Sequence, residues 1–184
     1  MEGTDDDWGP LSQLPGNPMM WVLLLGELGV FGALLLGFAI ARALDTSTFV
    51  AGQEALHPIL AGVNTAVLVT SGFLMAGAVT VRHEGRSGRV HVLAAMVLGL
   101  AFLATKAIEY TALFAQGFGI ETNTFFRLYF LITGFHALHI AFGLVLLGVV
   151  WAANTPKNLE TGAAFWHMLD LIWVFIYPVV YLSR

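Results

Sequence analysis

The sequence has no cysteine among its 184 residues, which excludes disulfides, thiolate metal centres and cysteine nucleophiles. Charge is scarce as well. Charged residues make up 11% against 58% hydrophobic ones, far from the mixture of an ordinary soluble domain. No basic patch for nucleic acid is available, because 8 Lys and Arg face 12 Asp and Glu for a net charge of −4. The first apolar run has no basic segment ahead of it and is followed by further runs, so it reads as a retained helix rather than a cleaved signal. With a mean hydropathy of +0.79, what is present is a membrane protein. The expected fold is all-α, a polytopic bundle of five transmembrane helices in a single domain over residues 19–184.

Residues 1–18 read as an acidic surface tail, with Asp5, Asp6 and Asp7 beyond any apolar run and Trp8 placed to touch the interface. The spans are expected at about 19–41, 59–81, 90–115, 123–151 and 163–182. Span one carries Trp21 as an interfacial anchor and Glu27 at membrane depth, bracketed by Gly26, Gly29 and Gly32, small surfaces that let another helix approach. Residues 43–58 read as a loop, and Pro58 stands at the favoured first position of span two. In that span Asn64, Thr65, Thr70 and Ser71 can bond backbone or a neighbour, and Gly72 and Ala76 offer a small-xxx-small contact. The arginine-bearing turn Arg82–Arg89 is short enough to make spans two and three antiparallel neighbours.

Ionisable groups at bilayer depth are costly, so those of the later spans are expected to face protein. In span three Lys106 and Glu109 share a helix face and can neutralise one another, with Tyr110 beside them. Span four carries Tyr129, Thr133, His136 and His139 as a stripe; two histidines on one helix can share a metal or ligate a haem, yet they make an incomplete site alone. Span five places Trp166, Asp170, Trp173, Tyr177 and Tyr181 on one face with His167 beside them, and Pro178 is expected to loosen its last turns. His167 and Asp170 either pair and pack the bundle or form a site of chemistry. The polar groups of spans three to five are expected to face one another, with His136, His139, His167 and Asp170 as one hydrogen-bonded set. Lys and Arg favour the side of the 82–90 turn, which places the N-terminus in the cytoplasm and the C-terminus in the periplasm.

Four stretches carry a resemblance: Trp21–Phe31 around Glu27, KAIEY at 106–110, LITGFHALHIAFG at 131–143 and FWHMLDLIWVFIYPVVY at 165–181. In order and spacing they resemble subunit III of the haem-copper oxidases, in its shorter five-helix form. The brevity, the closing WHMLDLIWVFIYP and Lys106 in place of a frequent glutamine are most similar to NorE-type proteins associated with nitric oxide reductase. The resemblance implies a non-catalytic accessory subunit of the bacterial cytoplasmic membrane, supporting assembly, stability or sustained turnover. No haem or metal is then expected in this chain; both belong to the catalytic partner subunit, with membrane phospholipids as further partners. It also implies that Glu27 is the family's intramembrane acid and that Glu109, His136, His139, His167 and Asp170 are its buried polar set. Lys106 and Tyr110 complete the candidates, and Trp21, Trp166 and Trp173 are expected at partner or lipid contacts. The alternatives are subunit III of a terminal cytochrome c or quinol oxidase, a membrane haem or metal protein, and a small proton-coupled transporter. Against the last, no two halves of the chain mirror each other.

Overall fold

The computed structural model describes residues 18–183, so the acidic tail and Trp8 lie outside the described residues. Six α-helices follow one another: α1 (Pro18–Leu44), α2 (Thr46–Glu54), α3 (Pro58–His83), α4 (Arg89–Ala115), α5 (Thr124–Ala153) and α6 (Pro156–Tyr177), closed by a π-helical turn at Pro178–Leu182. Five of them, with the turn continuing α6, are long and apolar enough to cross a membrane. Their ends are written in the sequence. Pro58 and Pro156 open α3 and α6, where a missing N–H costs nothing. Asn123 caps α5 by accepting from the Phe126 amide at 3.0 Å. Asn154 ends α5 in the left-handed region at φ 43°, and Gly85 and Gly117 take φ 79° and 85° in the turns.

Four helices form a closed ring in which α3 packs on α4, α4 on α5, α5 on α6 and α6 back on α3; α1 lies outside, against α5 and α6. The reason is visible in α1 itself. Its buried side chains are Leu24, Phe31 and Phe38, spaced by sevens into one narrow seam. Gly26, Gly29 and Gly32 lie off that seam, and a Cβ added at any of them would meet nothing within 4 Å. Among the described residues, no helix makes the expected close approach there.

α6 is the opposite case, with Trp166, Leu169, Trp173 and Ile176 all fully buried, as is Val180 in the π turn that continues it. It begins at Pro156, seven residues before the expected start of span five, because the polar turn 156–162 is capped by Thr155 and continues straight into the apolar stretch. Pro178 has no N–H to give the preceding turn, and the chain widens into the π turn there.

The expected loop 43–58 contains α2. Asp45 caps it, accepting from the Thr48 amide at 3.2 Å and the Ser47 hydroxyl at 3.0 Å. Three of its residues turn inward: Phe49, Gly52 and Gln53. Phe49 meets Phe38 and Phe125 edge to face at 5.0 and 5.6 Å, and Gly52 leaves the space that the Phe125 ring occupies. Across the opposite end, Arg82 and Arg89 donate to the last carbonyls of α5, Arg82 Nε to Asn154 at 3.1 Å and Arg89 Nε to Trp151 at 3.2 Å. The arginine turn thus caps the negative end of the α5 dipole.

Candidate functional site

The centre of the ring holds a buried ammonium. Lys106 is 2% exposed and spends all three of its N–H bonds: on Glu109 Oε2 at 2.8 Å, Tyr181 OH at 2.8 Å and Tyr129 OH at 3.1 Å. The Tyr181 hydroxyl donates to Glu109 Oε1 at 2.8 Å, which leaves Tyr129 to donate across its 3.3 Å contact with Tyr181. The ammonium also lies 4.9 Å from the Tyr110 ring centre, 5.1 Å from that of Tyr129 and 5.5 Å from that of Trp173. A charge that would be ruinous in hydrocarbon is here paired, fully hydrogen-bonded and walled by aromatic faces. Because its partners come from α4, α5 and the π turn, the network also clamps three parts of the chain together. Tyr110 sits beside it, its hydroxyl 2.7 Å from Thr133 Oγ1, which in turn donates to the Tyr129 carbonyl.

The two histidines of α5 diverge. His136 is fully buried, both ring nitrogens unpartnered, stacked on Trp173 at 5.1 Å and edged by Phe31 and Phe102. His139 turns to α1, its Nε2 3.1 Å from Glu27 Oε2 and its Nδ1 2.8 Å from the Phe135 carbonyl. A carbonyl only accepts, so Nδ1 carries a hydrogen. The Nε2–Oε2 contact then needs one further proton, and whichever atom holds it the pair is neutral overall. The residues therefore form a single-proton site beside an apolar groove of about 420 Å³ lined by Leu23, Leu138, Phe142 and Phe165.

His167 and Asp170 form a third group, His167 Nδ1 3.6 Å from Asp170 Oδ2, on the seam of α6 with α3. Gly72 makes room for this carboxylate, since a Cβ there would collide with Asp170 Oδ2. The expected set of His136, His139, His167 and Asp170 is thus not one network but three separate environments. Sequence spacing fixes which residues share a helix face; it does not say which neighbour that face meets.

Trp166 and Trp173, expected at partner or lipid contacts, are completely enclosed. Trp166 lies in a slot between Gly99 of α4 and Gly143 of α5, and its Nε1 donates to Ser71 Oγ at 3.0 Å. Trp173 Nε1 donates to Thr65 Oγ1 at 2.9 Å, and Tyr177 OH to the Pro58 carbonyl at 3.3 Å. These rungs tie α6 to α3. Thr65 and Ser71, expected to bond backbone or a neighbour, do both: Thr65 Oγ1 donates to the Ala61 carbonyl and Ser71 Oγ to the Ala95 carbonyl of α4, each at 2.8 Å, while each accepts from its tryptophan. What sequence reasoning missed is which tryptophan each would meet. Trp21 is half-buried against the core. Among the described residues no three His, Asp or Glu converge as a metal site. What the arrangement can do chemically is hold charge and protons inside a bundle, at Lys106–Glu109 and at Glu27–His139.

Comparison with known proteins gives a consistent answer. The family model "Cytochrome c oxidase subunit III" matches residues 43–183. A cytochrome c oxidase subunit 3 of Synechocystis is 32% identical over 174 residues, 88% of this chain and 72% of that protein. One from Thermostichus vulcanus is 30% identical, covering 88% and 84%. Subunit 3 of the cytochrome bo(3) ubiquinol oxidase of Pseudomonas aeruginosa is 27% identical, covering 88% and 82%.

Proposed function

Because the chain belongs to the cytochrome c oxidase subunit III family, we propose that it is the non-catalytic integral-membrane subunit of a terminal cytochrome c or quinol oxidase. In this role it packs on the catalytic subunit that bears haem and copper, binds phospholipid and sustains assembly and turnover. It lies in the cytoplasmic membrane with its N-terminus on the cytoplasmic side. The observation that carries the proposal is the family match over 43–183, which takes in every residue of the Lys106 network.

A NorE-type partner of nitric oxide reductase is the second reading, supported by Lys106 in place of glutamine. Brevity no longer favours it: the match spans 84% of the Thermostichus vulcanus oxidase subunit and 82% of the Pseudomonas aeruginosa one. Affinity purification of the tagged chain in mild detergent separates the two. A co-purifying haem polypeptide that consumes oxygen supports the oxidase; one that consumes nitric oxide supports the second reading. Deleting the chain is expected to lower the partner's activity or amount without abolishing its chemistry. Unchanged assembly, rate and endurance after deletion would overturn the subunit role.

A further inference from the structure

Among the described residues, the lysine, histidine and carboxylate side chains more than one turn inside the apolar spans are handled in three ways. Lys106, Glu109 and His136 are sealed inside the ring. Glu27 and His139 are 22% and 14% exposed but satisfy one another at 3.1 Å. His167 is the exception, with 45% of its side chain exposed and its contact with Asp170 stretched to 3.6 Å, beyond a good hydrogen bond. Asp170 is itself 8% exposed, and its Oδ1 has no hydrogen-bond partner. Counting the helical rise from Ala163, where the apolar stretch of α6 begins after its polar first turns, His167 lies roughly 6 Å and Asp170 roughly 10 Å inside the membrane-spanning segment. Around it an otherwise apolar groove of about 440 Å³ runs between α3 and α6, walled by Val69, Phe73, Ala76, Leu171 and Val174.

Lipid tails offer no hydrogen bond to an imidazole or carboxyl group inside the hydrocarbon. We propose that the α3–α6 groove around His167 is the docking face for the catalytic subunit, occupied by one of its transmembrane helices that presents a hydroxyl or amide side chain to the imidazole. The small side of the groove at Ala76 lets such a helix approach closely. This rests on the subunit role above and specifies which face performs it.

The test places p-benzoylphenylalanine at Leu171, 46% exposed in the groove, or at Val97, 56% exposed on α4, in the tagged full-length chain co-expressed with its partner. Irradiation is expected to link position 171, and not 97, to the haem polypeptide. Linkage of 171 only to a second copy of this chain or to lipid, while the haem polypeptide still co-purifies, overturns the face and leaves the subunit role standing. If no haem polypeptide co-purifies at all, both fall. In parallel, His167→Leu is expected to weaken retention of the haem polypeptide about three- to thirtyfold, the range of an interhelical hydrogen bond in a membrane. The melting temperature of the isolated chain is expected to stay level or rise. Retention unchanged by His167→Leu overturns the proposal.

Discussion

Lys106 shows how one side chain can be both the greatest hazard in the chain and a clamp. Its ammonium is 2% exposed and depends on Glu109, Tyr129 and Tyr181 for every N–H bond. Removing Glu109 alone leaves a buried cation, and removing Lys106 alone a buried anion, at about 3–5 kcal/mol each. Lys106→Met combined with Glu109→Gln removes both charges, so the double variant is expected to melt above the worse single variant in detergent. A double variant that melts no higher would mean the charges are not coupled. This pair was legible in the sequence because residues three apart on a helix share a face. The Glu27–His139 contact was not, because it joins two helices whose facing no local spacing specifies. His136 and His139, three apart, looked alike on a helical projection and ended in unlike places, one stacked on Trp173 and one against α1.

The helices divide by how tightly they must fit. The five spans could be read from apolar runs closed by charges and prolines, since hydrocarbon thickness dictates their length. α2 could not: its nine residues, TSTFVAGQE, carry little apolar signal, and its stability comes from Phe49 inserted between Phe38 and Phe125. Glycines were the least legible, being small whether a neighbour is there or not. At Gly99 an added Cβ would lie 2.8 Å from the Trp166 ring, so Gly99→Ala is expected to cost about 1–3 kcal/mol on thermal unfolding. Gly29→Ala meets no neighbour and is expected to be neutral or stabilising in the isolated chain by up to about 1 kcal/mol, through helix propensity. Equal losses at the two positions would contradict this packing.

The cap of α2 carries its own expectation. Hydrogen bonds from Thr48 and then Ser47 hold the Asp45 carboxyl below its ordinary value. A lowered folded-state pKa means the cap contributes fully above the unfolded value and is lost only as pH falls through the lower folded one. Intrinsically corrected amide exchange at Thr48 is therefore expected to stay level from pH 5 to 8 and to quicken at neutral pH in Asp45→Ala. Exchange that quickened between pH 8 and 5 in the native chain would remove the cap from the account.

For the molecule as a whole, the polar ends of the bundle set the direction in which it crosses the membrane. One end gathers the α3–α4 turn with Arg82, Arg86 and Arg89 and the start of α6 with Lys157; the other gathers Arg42, Arg127 and α2. Positive side chains close to short turns are retained in the cytoplasm, and the arginine turn is the densest such cluster. The structure adds that Arg82 and Arg89 are held there by the α5 carbonyls, so their charge is anchored at this end rather than free to swing along the bundle. With no native cysteine, one introduced thiol reports one position. Glu84→Cys leaves the arginines intact and is exposed beside them, and Glu121→Cys is exposed in the α4–α5 turn at the far end. In intact cells a membrane-impermeant maleimide is expected to label position 121 from the periplasm and position 84 only after the membrane is opened. Labelling of 84 but not 121 in intact cells would reverse the orientation. It would also move α2, with its Phe49 anchor, from the expected periplasmic face to the cytoplasmic one, where any partner surface it helps to form would have to be sought instead.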